Sequence, residues 1–201
     1  SASFAVEWPL FQGHPLGFHA LNVLAHALVS LLVFLLLLTL GSAPGALAGA
    51  ALFALHPVHT EAVANVVGRA ELYSAFFYLS ACLLYWRGAA WEGVARILRL
   101  LALGALYLLA LGSKEIGVTL PGALVLLEAF RPRMGGSREG AEGLPPLHRR
   151  LGAEAATYLL LVVLLAAYLG LRYLVLGTLA GERVAPVLEL LSFHAMMAPP
   201  A

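Results

Sequence analysis

The chain has 201 residues, 61% of them hydrophobic and 11% charged, with 12 basic against 11 acidic side chains. A soluble domain is nearer half apolar and a quarter charged, and a chain of this size cannot hide such an excess in a core, because it still needs a polar surface. The composition therefore excludes a soluble enzyme and a disordered or collagen-like chain, the formal charge of +1 leaves no electrostatic footprint for nucleic acid, and a polytopic membrane protein remains.

Residues 1–17, with Trp8-Pro9-Leu10 and His14-Pro15-Leu16-Gly17, precede the first apolar run. Phe18 to Leu40 carries no charge and is long enough to cross the hydrocarbon core. Gly41-Ser42-Ala43-Pro44-Gly45 is a turn by composition, and Ala46 to Leu55 returns, a span of 43–56 once its flanks are counted. The runs Glu71–Trp86, Ile97–Gly112, Ile116–Phe130 and Ala153–Leu176 predict four more spans, at about 71–86, 97–112, 115–130 and 153–177. The stretch 131–150, rich in Gly, Arg and Glu and holding Pro145-Pro146, reads as a flexible linker, and 178–201 as a tail. No solenoid-type repeat is visible. The single cysteine, Cys82, lies inside an apolar run, so neither a disulfide framework nor a zinc ribbon fits.

Orientation follows from Lys and Arg in the loops. Arg87, Arg96, Arg99, Arg131, Arg133, Arg138, Arg149 and Arg150 fall on one face, while Arg69, Lys114, Arg172 and Arg183 fall on the other. The first face is expected to be cytosolic, with Trp86 and Trp91 as an aromatic belt beside it. Residues 1–17, 56–70, the 112–115 turn and the tail then lie on the luminal side. The expected fold is an all-α polytopic membrane protein of about six transmembrane helices plus a short luminal interfacial helix.

That interfacial helix is read from His56-Pro57-Val58-His59-Thr60-Glu61-Ala62-Val63-Ala64-Asn65-Val66-Val67-Gly68-Arg69-Ala70-Glu71. Pro57 suits a first helical position. Val58, Ala62, Val63, Val66, Val67 and Ala70 repeat at helical spacing, and Glu61, Asn65 and Arg69 stack at i, i+4 and i+8 on another face. Such a helix lies in the interface plane. Arg69 could be held by Glu61 while offering its donor fork to a phosphate, or the two could form a structural ion pair only. His56, His59 and Glu61 do not have a recognised ligand spacing, and no metal is assigned.

Lys114 and Glu115 follow Gly112-Ser113 in a tight turn, either as an interfacial cap or as one wall of a site. His19, Asn22 and His26 fall at i, i+3 and i+7 near the luminal end of the first span, where polar residues face the bundle interior and hydrogen-bond between helices. His19, nearest the lumen, could line a site. Glu128 reads as an interface residue.

The segments His56-Pro57-Val58-His59-Thr60-Glu61-Ala62-Val63 and Val66-Val67-Gly68-Arg69-Ala70-Glu71 resemble the luminal signature of the transmembrane and tetratricopeptide-repeat (TMTC) O-mannosyltransferases. Phe18-His19-x-x-Asn22-Val23-Leu24-x-His26-Ala27-Leu28-Val29 and Ser113-Lys114-Glu115-x-Gly117 are similar to the same family's flanking segments, in the same order. The resemblance covers about residues 9 to 176. It implies a GT-C-type glycosyltransferase of the endoplasmic reticulum membrane, moving mannose from dolichyl phosphate mannose to Ser or Thr of secretory-pathway proteins such as cadherins. An inverting transfer needs a carboxylate base toward the acceptor hydroxyl and cations or donors at the departing phosphate. Glu61 and Glu71 are the acidic candidates. His59, Arg69 and Lys114 are the donor-phosphate candidates, with Glu115 and His19 beside them. No cofactor beyond the lipid-linked donor is implied, and metal use stays open.

The family also leads us to expect an earlier helix with a long luminal loop carrying an Asp-containing motif, an Asp-Asn-Pro-Ala stretch after the last helix, and a tetratricopeptide array. The sequence contains no Asp. Residues 1–17 read as the tail of that loop, and the 201 residues as a fragment expected to be inactive alone. The alternative is a non-catalytic endoplasmic reticulum membrane scaffold. A transporter would need charges at mid-membrane depth, and no Lys, Arg or Glu falls clearly at a span centre.

Overall fold

The computed structural model describes residues 15–65, 68–134 and 146–176. The expected loop end over 1–14, the Val66-Val67 pair, residues 135–145 of the expected linker and the tail from 177 onward lie outside the described residues. Everything described is helix, 3₁₀ turn or short connection.

Helix α1, Pro15–Leu40, opens on a proline at a position that needs no N–H, and ends at Gly41. Ser42 then caps α2, Ala43–Leu55: its Oγ accepts from the Gly45 amide at 3.4 Å, with Pro44 in the first turn. After the 3₁₀ turn Pro57–His59 come α3, Thr60–Ala64, and α4, Arg69–Arg87. A short 3₁₀ turn, Gly88–Ala90, leads to α5, Gly93–Ser113, and a five-residue 3₁₀ turn, Glu115–Thr119, to α6, Leu120–Met134. The last described helices are α7, Leu147–Ala153, and α8, Ala155–Leu176. Residues 131–134 and 147–150, expected in a flexible linker, are therefore helical.

Among the described residues three helices are long and apolar enough to cross a membrane: Leu16–Leu40, Gly93–Ser113 and Ala155–Val175. The chain is a membrane protein. Helix α2 is apolar but has 13 residues, well short of the roughly 20 that span the hydrocarbon core unaided. Helix α4 has the length, but Arg69, Glu71, Tyr73, Ser74, Tyr78, Ser80 and Arg87 dilute its apolar character.

Helix α1 packs on α2 and α4, and α4 on α5. Val29, Ala81, Tyr85, Leu103, Tyr107, Leu120, Leu124 and Leu161 are buried. Leu98, Leu101, Leu108 and Leu159 remain exposed on outward faces, which costs nothing where hydrocarbon rather than water surrounds them. Because the helices run up and down in sequence, the connections 56–68 and 113–119 meet at one end, and 88–92 and 146–154 at the other.

At that second end the charges are internal. Arg99, 1% exposed, donates to both carboxylate oxygens of Glu154, at 3.0 and 3.1 Å, and to the Tyr85 carbonyl. Thr157 donates to the same Glu154 carboxylate. Glu128, expected at an interface, is buried between Arg131, at 3.1 Å, and Arg150, at 3.0 Å, and accepts from the Tyr85 hydroxyl. The Arg131 guanidinium lies 4.4 Å from the Trp86 ring centroid. Arginines that the sequence presents as loop charges thus tie α4, α5, α6, α7 and the start of α8 together.

Residues 1–164 and 165–201 form two compact units. In the second, described over 165–176, Arg172 Nη1 donates to the Tyr168 hydroxyl at 3.0 Å, one turn back.

Candidate active site

The expected continuous helix over 57–71 is absent, and its absence shapes the site. Helix α3 stops at Ala64 because Asn65 turns extended (φ −85°, ψ 127°), and α4 starts only at Arg69. The reason lies 43 residues earlier. Asn22 Nδ2 donates to the carbonyls of Val63 and Asn65, each at 3.1 Å, so groups that a helix would have used inwardly are bonded to α1. Gly68 makes the return possible. A Cβ there would stand 2.5 Å from the Ala62 carbonyl oxygen and 2.6 Å from its Cα, so the chain closes over Ala62 only where a side chain is missing.

The break separates the stack of Glu61, Asn65 and Arg69, and sends Arg69 inward. Arg69 is 1% exposed; its Nε donates to Asn22 Oδ1 at 2.8 Å and its Nη2 to the Phe18 carbonyl at 2.9 Å, with the guanidinium 5.5 Å from the Phe18 ring. It is not among the residues that line the two clefts described below. A cation with these bonds inside a helix bundle holds the fold together.

Two clefts share Glu71 in their linings. A polar cleft of about 470 Å³ is lined by Val58, His59, Glu61, Asn65, Gly68 and Glu71, among others. A mainly apolar cleft of about 460 Å³, lined by Val33, Phe53, Tyr78, Leu79 and Ile116, has Glu71 and Lys114 as its charged residues. Glu71 lines both. Its carboxylate, in the first turn of α4 where a negative charge is favoured, is ion-paired with the Lys114 ammonium. Both partners are partly exposed, at 54% and 39% of their side-chain surface. Lys114 sits on the extended residue between α5 and the 115–119 turn.

Glu61 and Glu71, the two acidic candidates, thus face one cleft, and His59 lines it with them. Glu115 is exposed at the start of its 3₁₀ turn and lines neither cleft. His19 is exposed and belongs to a third groove, of about 410 Å³, on the other side of His59, together with His26 and His56. His26 bonds the Ala54 carbonyl at 3.0 Å, and His56 Nδ1 accepts from the Val58 amide at 3.1 Å. The His59 ring lies 4.2 Å from Phe53 and 5.3 Å from His26. Burial, followed by the neighbouring His26 and His56, pushes its pKa below the ordinary value. Among the described residues no three His, Cys, Asp or Glu side chains are grouped to hold a metal ion.

Asn22 is the residue that sequence reasoning undervalued: read as a generic interhelical bond, it is the tie on which the broken segment depends. Its placement at i+3 from His19 on a membrane helix was the available signal.

No protein-family model and no solved structure matches the chain. Curated relatives do. The chain is 34% identical to the human protein named protein O-mannosyl-transferase TMTC3 over 134 residues, 64% of this chain and 14% of that one. Over this stretch the chain is similar to the TMTC proteins. It is also 55% identical to Drosophila melanogaster protein O-mannosyl-transferase Tmtc1 over 74 residues, 36% of this chain and 9% of that one. With human protein O-mannosyl-transferase TMTC4 the identity is 40% over 142 residues, 60% and 19% of the two chains. The chain therefore spans less than a fifth of the length of these TMTC relatives.

Proposed function

We propose that this chain contributes the donor side of a protein O-mannosyltransferase, transferring mannose from dolichyl phosphate mannose to Ser or Thr hydroxyls of secretory-pathway proteins, cadherins among them. The observation that carries the reading is Glu71, where a mainly apolar cleft of about 460 Å³ joins a polar one and the Lys114 ammonium is at hand. The enzyme is multi-pass in the endoplasmic reticulum membrane, with about six spans in these residues and the two clefts on the luminal side. Residues 57–65 lie at that interface.

In the reaction the acceptor oxygen bonds to mannosyl C1 while the bond from C1 to the phosphate oxygen breaks, and the bonding pair leaves on the phosphate. The hydroxyl proton goes to a carboxylate of the polar cleft, Glu71 or Glu61. The departing phosphate gains a negative charge, which Lys114 balances. Lys114 must exchange Glu71 for phosphate to do so, and that exchange frees the Glu71 carboxylate.

The test is transfer of labelled mannose from dolichyl phosphate mannose to a cadherin-domain acceptor, with the chain in its full-length context. Glu71→Gln should lower kcat by about 10²–10⁴, with Glu61→Gln measured beside it. Unchanged transfer in both variants, with normal expression, would leave the clefts without a catalytic part and favour a scaffold.

A further inference from the structure

We infer that Asn22 is a positioning residue for this transfer: from α1 it fixes the break between α3 and α4, and with it the placement of Glu61 against Glu71 across the polar cleft. The inference rests on the functional reading above, because only that reading gives the two carboxylates a joint task.

Asn22 is completely buried. Its Nδ2 donates to the Val63 and Asn65 carbonyls at 3.1 Å, and its Oδ1 accepts from Arg69 Nε at 2.8 Å. Flipping the amide would set an oxygen against two carbonyl oxygens and an NH₂ against a guanidinium, so only one orientation satisfies all three partners. A side chain that merely filled space between helices would need none of these bonds. Here one amide grips both sides of a break: the end of α3, which carries Glu61, and the first residue of α4, which carries Glu71 two positions later.

The grip also explains why the break does not anneal. The Val63 and Asn65 carbonyls are bonded to α1, and the Asn65 carbonyl accepts from the Gly68 amide at 3.0 Å as well. Without Asn22 the apolar repeat of Val58, Ala62, Val63 and Ala70 favours a longer helix, which would carry Glu61 away from the cleft it now lines. Misplacing a reacting group by about 1 Å costs on the order of 10²-fold in rate.

Asn22→Asp separates position from stability. It keeps an acceptor for Arg69 and adds charge to that bond, but it removes both donors and turns an oxygen toward two carbonyls. In the full-length context we expect the unfolding midpoint to fall by several degrees, because two buried carbonyls lose their donors, and the rate is therefore read per folded molecule. We expect kcat to fall about 10–100-fold, with the donor KM within about twofold, since the apolar cleft and Lys114 are untouched. Asn22→Ser, whose hydroxyl can serve one carbonyl, should fall between the two; it takes the place of Asn22→Asp, with the same expected and overturning outcomes, if that variant does not fold. A purely structural role would lower the midpoint or the yield and leave kcat per folded molecule unchanged. Wild-type kcat in folded Asn22→Asp overturns the inference. Failure of the functional reading is a different result, because Glu71→Gln and Glu61→Gln would then both transfer mannose as well as the wild type.

Discussion

Both ends of the bundle collect charged residues, and they use them in opposite ways. At the end formed by 88–92 and 146–154, Arg99 and Glu154 share two hydrogen bonds, and their side chains are 1% and 12% exposed. At the end formed by 56–68 and 113–119, Lys114 and Glu71 are also paired, but 39% and 54% exposed, and Glu71 opens onto two clefts. A charge pair sealed between helices has no room for a third party. One that borders open volume can trade partners. The difference separates structure from candidate chemistry where residue type alone does not.

The comparison breaks if the two pairs respond alike to mutation. Arg99→Ala should have the largest effect, about 3–5 kcal/mol of stability, because it strands a buried carboxylate; denaturant unfolding in detergent would measure it. Glu71→Gln should cost less than about 1 kcal/mol in the same assay while removing transfer. Gly68→Ala comes next. Its Cβ would fall 2.5 Å from the Ala62 oxygen, and overpacking of that kind costs about 1–3 kcal/mol, read as a lower unfolding midpoint together with lost transfer.

Lys114→Ala should lower kcat/KM for the donor at least about tenfold, with kcat falling as well as KM rising, without moving the midpoint, which steady-state kinetics at varied donor would detect. The smallest effect concerns pH. His59 titrates below its ordinary value of 6.5, so the unfolded segment binds more protons than the folded one as pH falls. The stability of 57–65 is full above that value and declines as pH drops through it toward the lowered pKa. Amide exchange across 57–65 should therefore be faster at pH 5.5 than at pH 7.5 after correction for intrinsic rates, and His59→Gln should remove the difference.

Much of this was legible in the amino acids, for physical reasons that also mark where legibility ends. Apolar runs announce helices because hydrocarbon leaves the backbone no partner but itself, so all-α architecture follows from composition. Ser42 and Pro44 mark the start of α2 by local chemistry. The break at Asn65 could not be read locally, since the apolar period runs on through Val63 and Ala70; its cause is an amide on another helix. Arg99 looked like a loop charge because its neighbours are Arg96 and Glu92, yet α5 begins at Gly93 and carries it inward. Glu71 and Lys114 were visible singly as a first-turn acid and a turn cation. Their meeting depended on α4 and α5 packing as neighbours.

The corner that carries Lys114 is stiff. A Cβ on Gly117 would come within 2.9 Å of the Leu111 nitrogen, and the Lys114 amide and carbonyl are bonded to Ala110 and Gly117 at 3.0 and 3.1 Å. The ammonium is therefore a tethered probe on a fixed post, and its radius is the length of its own methylene stem rather than the swing of a loop. Whatever anion it holds must come to that small sphere, so the reach of one side chain sets how far from the turn such an anion can sit.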